Sequence, residues 1–372
     1  MNSEMITQAL REVEESDKAL AAAFERRLDA IKVIAEYRRE HGIPVPAEPD
    51  GGERAQELSA VITDAEKRPY YMSFFQGALS ASEKYHRRIM QGVRVAYTGV
   101  KGAFANIAAS RIFPDGEMVS YPDFAASYTA VERGECDCAV LPIENSYAGE
   151  VGQVIELMFS GKLYIGGVYS LRVKHNLLGL RGSTPSGVKK VVSHPQALHQ
   201  CAPYIQAHGY ECIQETNTAV AAQRVAEGGD PTVAAIASAE TAKLYGLEVL
   251  DHDINESGDN TTRFAVFSRT PNIDEDHRDR SRFLLMFILQ NVPGALASAI
   301  NVISSYGFNM KVIRSRPIKE PAWEYYFYVE AEGDEESENG RRMISELRQH
   351  CRVLKVVGHY SDDIRLGASS II

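Results

Sequence analysis

The sequence predicts a multidomain protein with three parts in chain order: an all-helical N-terminal region, an α/β region with two lobes, and a ferredoxin-like βαββαβ unit. Three patterns predict this. Apolar residues recur every three or four positions over 5–40, strand-like and helix-like runs alternate from Val93, and a shorter alternation follows a charged linker at 271–282. A chain of 372 residues exceeds one compact core. We therefore expect domains at 1–90, 91–270 and 281–361.

The composition narrows the class of protein. An apolar content of 44% and a charged content of 24% are ordinary for a soluble globular protein, and a net charge of −10 argues against nucleic acid or an anionic membrane as partner. No apolar run approaches the ~20 residues that span a bilayer, and the N-terminus lacks a signal-peptide pattern. The five cysteines are scattered without zinc-like spacing. We expect a cytoplasmic protein with no metal and no cofactor.

The first part is predicted to be one long helix followed by two shorter ones. A helix over 5–40 would be ~50 Å long at about 1.5 Å per residue, and its apolar stripe needs a partner that a small monomer does not supply. A homodimer or homotetramer would cover it. Further helical stretches are predicted at 53–67 and 70–90. The stripe positions are Ile6, Leu10, Val13, Asp17, Leu20, Phe24, Leu28, Ile31 and Ala35.

Seven strand-like runs, most of them separated by alanine-rich helix-like segments, form the α/β region. The change of pattern at 171–175 predicts a crossover into a second lobe, and 251–268 would return to the first and leave a cleft between them. The runs are Val93–Tyr97, Cys138–Pro142, Leu163–Leu171, Val188–Val192, Cys212–Glu215, Val233–Ala237 and Phe264–Phe267.

Four polar clusters lie next to these runs, where α/β proteins tend to hold ligand groups. Residues 258–263 are predicted to be a polar loop that enters the strand at Phe264. Two clusters resemble helix starts, whose backbone N–H groups bind anions. Alternatively, Ser193 and Asn217 merely cap helices, Glu144 and Asn145 lie in a solvated loop, and His175 is a packing residue. The clusters are Pro142–Ser146, Ser193–Ala197, Asn217–Ala219 and Gly258–Phe264.

In this order the clusters resemble prephenate dehydratases, through Pro142–Ser146 with Gly149, Ser193–Ala197 and Thr262-Arg263-Phe264. The resemblance implies a two-lobed, periplasmic-binding-protein-like catalytic domain that converts prephenate into phenylpyruvate, water and carbon dioxide. Thr262 is then the candidate donor to the departing hydroxide, and Glu144 or His194 the proton source. Arg263 would clamp a carboxylate. The remaining substrate-binding candidates are Asn145, Ser146, Ser193, Gln196, Asn217, Thr218 and Phe264.

The last part resembles the ACT-type phenylalanine-sensing domain of these enzymes. The resemblance rests on Pro293-Gly294-Ala295-Leu296 and Ser315-Arg316-Pro317, and it implies L-phenylalanine as effector. The family usually has a glutamate before Ser315, where this chain has Arg314, so the usual feedback is in doubt. The candidate effector contacts are Gly294, Ala295, Leu296, Asn309, Ser315, Arg316 and Pro317.

The N-terminal helices resemble the chorismate mutase fused to bacterial dehydratases. Arg11, Arg26 and Ser82 match its substrate-binding positions. The match fails at Tyr37, where a lysine is expected, and at His86, where a glutamine is usual; Gly51-Gly52-Glu53-Arg54 interrupts a third group of site residues. The mutase-like domain is therefore expected to be degenerate.

Two other functions stay open. One is a fully bifunctional enzyme that also accepts chorismate. The other is a non-catalytic sensing protein whose cleft holds an aromatic acid, although such a protein has no need of a donor to a leaving group. The residues do not decide between prephenate and arogenate as substrate.

Overall fold

The computed structural model describes residues 3–40, 56–256, 258–271, 281–318, 324–361 and 364–367. It divides the chain into two units, Met1–Val93 and Arg94–Ile372. The Gly51–Arg54 segment lies outside the described residues. No helix among the described residues is long and apolar enough to cross a membrane.

In the first unit, the helix predicted over 5–40 is present as α1 (Ser3–Glu40), and the one predicted over 70–90 is α2 (Arg68–Gln91). Between them the described part of 53–67 contains a helical turn at 56–59 and a 3-10 turn at Ala65–Lys67. The N-terminal half of the apolar stripe of α1 is uncovered within one chain, since Leu10 is 66% exposed and Leu20 is 49% exposed, whereas Ala35 near the other end is buried.

The first sheet of the second unit has the order β16-β5-β11-β3-β1-β2, with β4 beside β3. Its early strands are parallel, whereas β11 runs antiparallel to both β3 and β5. The strands are β1 (Arg94–Thr98), β2 (Glu117–Tyr121), β3 (Cys138–Asn145), β4 (Gly149–Glu150), β5 (Tyr164–Arg172), β11 (Thr261–Ser268) and β16 (Ile364–Leu366). The helices that accompany them are α3 (Phe104–Ile112), α4 (Phe124–Glu132) and α5 (Gly152–Ser160).

The chain leaves this sheet after β5, builds a second sheet, and returns as β11, as the crossover at 171–175 predicted. The second sheet has the order β10-β6-β9-β7-β8. Its strands are β6 (Asn176–Gly179), β7 (Lys190–Ser193), β8 (Glu211–Gln214), β9 (Val233–Ala237) and β10 (Glu248–Asp251). Its helices are α6 (Pro195–Gln200), α7 (Ala202–His208), α8 (Thr218–Gly228) and α9 (Ala239–Tyr245).

The third sheet, β13-β14-β12-β15, arises from the predicted βαββαβ order. One of its faces, with Phe283 and Leu285, packs under its two helices, whereas the other, with Leu284 and Met286, joins the core of the first sheet. Strand alternation thus makes β12 apolar on both faces. The elements are β12 (Ser281–Leu289), α10 (Ala295–Ser305), β13 (Asn309–Pro317), β14 (Tyr325–Glu332), α11 (Glu338–His350) and β15 (Cys351–Ser361).

Two strands are longer than predicted, and this corrects the predicted loops. The strand predicted from Phe264 begins at Thr261, and the strand predicted to end at Pro142 continues to Asn145. Glu144, Asn145, Thr262 and Arg263 therefore lie inside paired strands. Because neighbouring residues of a strand point to opposite faces, the adjacent members of each motif are separated by the sheet.

Candidate active site

A cavity of about 920 Å³ is lined by residues of both the first and the second sheet. Its size falls within the range of about 300–1,000 Å³ that is typical of small-molecule sites. The segment after β1 and the end of β2 form one side, and the starts of α6 and α8 form the other. Seven predicted site residues line it: Asn145, His194, Gln196, Asn217, Thr218, Thr262 and Phe264.

Asn145 and Thr262 lie directly opposite each other on β3 and β11. The Oδ1 atom of Asn145 accepts the backbone N–H groups of Tyr147 (3.0 Å) and Ala148 (2.9 Å), which fixes the orientation of the amide. Its Nδ2 atom then donates to Oγ1 of Thr262 at 2.9 Å. Because the threonine oxygen accepts this bond, its own O–H proton is directed elsewhere and is available to donate to a ligand in the cavity.

The hydrogen bonds continue from Asn145 to three residues that were not among the predicted site residues. Nδ2 of Asn145 also donates to Oδ1 of Asn260 at 2.8 Å, and Nδ2 of Asn260 donates to Oε1 of Gln200 at 3.0 Å. Nε2 of His175 meets the same Gln200 oxygen at 2.9 Å. All five side chains are at least nine-tenths buried and line the cavity. The directions of the bonds follow one from another, starting from the fixed amide of Asn145.

Two atoms at the end of this chain have no hydrogen-bond partner among the described residues: Nε2 of Gln200 and Nδ1 of His175. Since an oxygen of Gln200 faces Nε2 of His175, that nitrogen carries the hydrogen, and Nδ1 holds a lone pair when the ring is neutral. Burial lowers the pKa of His175, against a smaller opposing effect of its bond to Gln200. The histidine is packed in the protein interior and also carries a buried nitrogen without a hydrogen-bond partner among the described residues at the cavity wall.

Signals for two of these three residues were present in the sequence. Asn260 belongs to the Gly258–Phe264 cluster, and Gln200 follows Gln196 by one helical turn, so both face the same side of α6. His175 had only its position at the predicted crossover between the lobes. Its neighbours there, Val173 and Asn176, gave no pattern that distinguishes a binding residue from a core residue.

Both predicted helix starts are present at the cavity. Oδ1 of Asn217 accepts the N–H groups of Ala219 and Val220, so this side chain caps α8. His194 caps α6 through Nδ1, which accepts the N–H of Gln196 at 3.2 Å, and burial lowers its pKa. The partial positive charge at the start of α8 favours a bound carboxylate.

Two of the predicted binding serines serve the scaffold instead of the cavity. Ser193 is fully buried, and its hydroxyl donates to the carbonyl of Ile236, which ties β7 to β9. Ser146 donates to the carbonyl of Asp259 and accepts the N–H of Thr261, and it is exposed. Neither residue lines the cavity. Small hydroxyl groups in turns often satisfy nearby backbone in this way.

Glu144 and Arg263 lie on the opposite face of the sheet from Asn145 and Thr262, so the structure does not bring them to the cavity. Arg263 makes a two-pronged ion pair with Glu330 of β14 at 3.0 and 3.1 Å and also bonds Glu144 at 3.1 Å. Arg314 of β13 forms a second ion pair with Glu144. The predicted roles of Glu144 as proton source and Arg263 as substrate clamp therefore lack the required placement.

This buried group, which we call the arginine cluster, consists of Arg263, Arg314, Glu144, Glu330 and Tyr360. Tyr360 donates to Oε2 of Glu330 at 2.9 Å, and Tyr328 donates to Oε1. Burial alone would raise the pKa of Glu330, but the hydrogen bonds and charge of Arg263, together with the two tyrosine hydroxyls, hold it below its usual value. The cluster joins the third sheet to the back of the cavity strands.

The predicted effector residues lie at the start of α10 and along β13, which is an edge strand of the third sheet. Gly294 precedes α10 in a left-handed conformation (φ +85°) that favours glycine, and it is followed by Ala295 and Leu296. Asn309 donates to Glu332 at 2.7 Å. Ser315 and Pro317 are exposed on β13, whereas Arg316 between them pairs with Glu150 of β4 at 2.6 Å. The alternation of β13 therefore separates Arg316 from its two neighbours.

In the first unit the mutase-like positions are only partly assembled. Ser82 is buried and accepts a hydrogen bond from Arg27 at 2.9 Å, while Arg11 and Arg26 are exposed. The arginine beside Ser82 is thus Arg27, one position after the predicted Arg26. His86 is buried within 3.5 Å of Arg38, and Tyr37 is 56% exposed.

The described residues contain no group of three or more His, Cys, Asp or Glu side chains that could hold a metal ion. The cavity itself offers amides, hydroxyls, two histidines and an apolar wall that includes Phe104 and Phe264. Groups of these kinds are able to donate hydrogen bonds to an organic ligand and to contact its apolar part.

Comparisons with known proteins agree with this geometry. The prephenate dehydratase family model matches residues 95–272. A chloroplastic arogenate dehydratase/prephenate dehydratase of Arabidopsis thaliana is 34% identical over 323 residues, which cover 84% of this chain and 83% of that protein. A bifunctional chorismate mutase/prephenate dehydratase of Aquifex aeolicus is 29% identical over 376 residues, which cover 96% of this chain and 98% of that protein.

Among solved structures, the prephenate dehydratase of Arthrobacter aurescens in complex with L-Phe is 25% identical. It aligns with a TM-score of 0.67 over 72% of this chain and 90% of its own. The sequence motifs and the extent of these matches agree: the chain belongs to the prephenate dehydratase family.

Proposed function

We propose that this protein is a prephenate dehydratase, which removes water and carbon dioxide from prephenate to form phenylpyruvate in phenylalanine biosynthesis. The observation that carries the proposal is the Asn145–Thr262 pair at the cavity wall. Aromatisation of the ring drives the reaction, so the enzyme must mainly hold the substrate and stabilise the departing oxygen. Thr262, whose oxygen already accepts from Asn145, donates its proton toward that oxygen. Such a donor contributes roughly 2.7–4 kcal/mol in comparable sites.

The same cavity contains groups for the substrate carboxylates. The start of α8 offers the partial positive charge of its first turn, although the N–H groups of Ala219 and Val220 already bind Asn217, and Gln196 adds an amide. Phe264 and Phe104 form an apolar surface for the ring. The catalytic domain, 91–270, is then a two-lobed, periplasmic-binding-protein-like unit whose cleft is this cavity.

The test is a product assay on the purified full chain with prephenate and, separately, arogenate. We expect phenylpyruvate from prephenate at a kcat in the ordinary range of about 1–10³ s⁻¹. Binding of prephenate without any phenylpyruvate would instead support the sensing protein. If phenylalanine forms from arogenate with a higher kcat/KM than phenylpyruvate forms from prephenate, arogenate is the preferred substrate.

We further propose that 281–361 is an ACT regulatory domain and that L-phenylalanine is its effector. Its support is the βαββαβ order, the turn at Gly294 and the relative from A. aurescens whose structure contains L-Phe. Arg314 changes the expected response, because it pairs with Glu144 behind the cavity. Turnover measured against L-phenylalanine concentration tests this, and a flat response would remove the effector.

The N-terminal domain, 1–90, is proposed to serve assembly more than mutase chemistry. Rearrangement of chorismate needs a cation at the ether oxygen, where Tyr37 offers only a neutral donor, and a neutral hydrogen bond is roughly half as strong as a charge-assisted one. We expect mutase activity to be absent or severely reduced. A chorismate assay on the full chain that gives a kcat of about 1–10³ s⁻¹ would establish the bifunctional enzyme instead.

The exposed stripe of α1 supports a homodimer or homotetramer. Sedimentation equilibrium should therefore give a mass of at least two chains. A mass equal to one 41.1 kDa chain would contradict the proposed assembly.

A further inference from the structure

Nδ1 of His175 is a polar atom for which the proposed reaction has so far no role. His175 is 2% exposed, lines the cavity, and has no hydrogen-bond partner at this nitrogen among the described residues. Burial of such an atom without a partner is unfavourable. A ligand group that bonds Nδ1 would remove that cost.

The reaction consumes one proton. Prephenate carries two negative charges, whereas phenylpyruvate carries one and water and carbon dioxide carry none. The ring carbon–oxygen bond breaks with its electron pair on oxygen, and the bond to the ring carboxylate breaks with its electrons entering the ring. The departing oxygen keeps its own hydrogen and needs one more. A threonine hydroxyl is too weak an acid to supply that proton at neutral pH.

Resting on the proposed function, we infer that Nδ1 of His175 contacts the ring hydroxyl and supplies the proton that converts it into water. The neutral imidazole that remains takes up a proton from solvent when the next substrate binds. Thr262 stabilises the developing charge on the oxygen, and His175 neutralises it. The only hydrogen-bond donor of prephenate is this hydroxyl, so it is also the group that satisfies a neutral Nδ1 while the substrate binds.

The hydrogen-bond chain determines which nitrogen acts. Nε2 of His175 donates to Oε1 of Gln200, and that oxygen is fixed because it also accepts from Asn260. Nε2 therefore retains its hydrogen in both protonation states, and Nδ1 is the atom that gains and loses a proton. The ring of Phe104 meets the imidazole edge-on at 5.7 Å and limits its rotation.

The surroundings of His175 favour uptake of a proton when the substrate binds. Gln200 of α6 and Phe104 of α3 face the ring, and its own N–H donates to Asn255. The neighbouring Lys174 is paired with Asp253 and lines a different cavity. No charged side chain among the described residues offsets the burial that lowers the pKa of His175. A substrate with two carboxylates would place negative charge in the cavity and raise that pKa again.

Other acidic groups near the cavity are less suitable. Nδ1 of His194 already accepts the N–H of Gln196, so its protonation would remove the cap of α6. Tyr121 has a pKa raised by burial and by its contact with Cys136. Glu144 lies behind the sheet and pairs with Arg263 and Arg314.

The experiment compares kcat for prephenate against pH, over about pH 5 to 9, in the full chain and in two variants. His175→Gln keeps an amide that donates to Gln200 but lacks the titrating nitrogen. His208→Gln is the matched control, because His208 is exposed at the end of α7 and bonds a backbone carbonyl. A general acid must be protonated, so we expect wild-type kcat to fall as pH rises through the pKa of the bound His175.

We expect His175→Gln to lower kcat by about 10²–10⁴-fold, to change KM much less, and to abolish this pH dependence. His208→Gln should match the wild type. Wild-type turnover that is flat across the range would overturn the inference without any variant. So would His175→Gln with a kcat within about threefold of the wild type, or with reduced turnover that keeps the wild-type pH profile.

Folding of the variants is checked by circular dichroism. If His175→Gln does not fold, His175→Asn, which places an amide near the Nδ1 position, is measured in the same way, and the wild-type pH profile remains decisive. Failure of the proposed function is distinct from all these outcomes, because it would appear as no phenylpyruvate from the wild type at any pH.

Discussion

Strands β3 and β11 have two faces that carry different chemistry, although their residues alternate along the same short motifs. Asn145 and Thr262 face a cavity whose polar groups are neutral and partly unpaired. Glu144 and Arg263, on the other face, belong to the arginine cluster, where charges are paired and the third sheet is attached. Neighbouring residues of one short motif therefore contribute to two different places, the cavity wall and the connection between two sheets.

The arginine cluster should respond most strongly to substitution. Arg263→Met would leave Glu330, which is fully buried, without its cationic partner, and breaking a buried ion pair in this way costs about 3–5 kcal/mol. Denaturant unfolding measures the loss. The double variant Arg263→Met/Glu330→Gln removes the uncompensated charge and should recover part of the stability. If the single and double variants are equally unstable, the ion pair is not the cause.

The sequence did not predict that β3 and β11 have two different faces, because both motifs were interpreted as loops. The fold follows from apolar periodicity, which is strong over 5–40 and in the alternating strands. The seven predicted strands of the α/β region are present in the predicted order, but β2, β6 and β10 were not predicted. The ends of β3 and β11 were not predicted either, because Asn145, Thr262 and Arg263 are polar and resemble loop residues by type. Their place in strands depends on pairing between distant segments, as between Asn145 of β3 and Thr262 of β11, which are 117 residues apart, and local patterns do not contain that information.

The chemistry of individual side chains was predicted better than their partners. Local motif and cap signals singled out four residues that do line the cavity: Thr262, Asn145, Asn217 and Gln196. Ser193 carries an equally local signal, yet its hydroxyl is used by a neighbouring strand. A serine at a helix start satisfies either a ligand or the backbone, and only the packing of β7 beside β9 decides which.

On the cavity face, Thr262→Val should affect catalysis and leave the fold nearly unchanged. It removes the donor to the leaving oxygen, so kcat should fall by at least ~100-fold, equivalent to about 2.7 kcal/mol. The stability cost should stay near 1 kcal/mol, because Asn145 still donates to Asn260. Steady-state kinetics and thermal unfolding of the same sample provide both numbers. Turnover like that of the wild type would remove Thr262 from the mechanism.

The stability contributed by the arginine cluster should also depend on pH. The pKa of Glu330 is held below its usual value in the folded protein by Arg263 and the tyrosine hydroxyls, despite its burial. The stabilisation is therefore complete above the ordinary glutamate pKa of about 4.3 and is lost as pH falls through the folded value. The slope that one such group adds is at most about 1.4 kcal/mol per pH unit.

The control for this acid response is Glu330→Gln, which cannot titrate. Its unfolding free energy should start lower than that of the wild type but should change less between about pH 5 and pH 3. Parallel pH curves for the two proteins would show that Glu330 does not carry the acid response of the cluster.

The smallest effect is expected at the outer end of the cluster. Arg314 is 28% exposed and shares Glu144 with Arg263, so Arg314→Gln leaves that carboxylate one cationic partner. Partly exposed ion pairs contribute about 0–1 kcal/mol, and we expect a loss within that range. Arg342→Gln is a suitable control, since its pair with Glu338 on α11 is exposed on both sides and should contribute almost nothing. Calorimetric melting of the two variants beside Arg263→Met tests the order directly. If Arg314→Gln destabilises the protein as much as Arg263→Met, the arginine cluster acts as one unit, and its contribution to stability does not depend on how deeply each ion pair is buried.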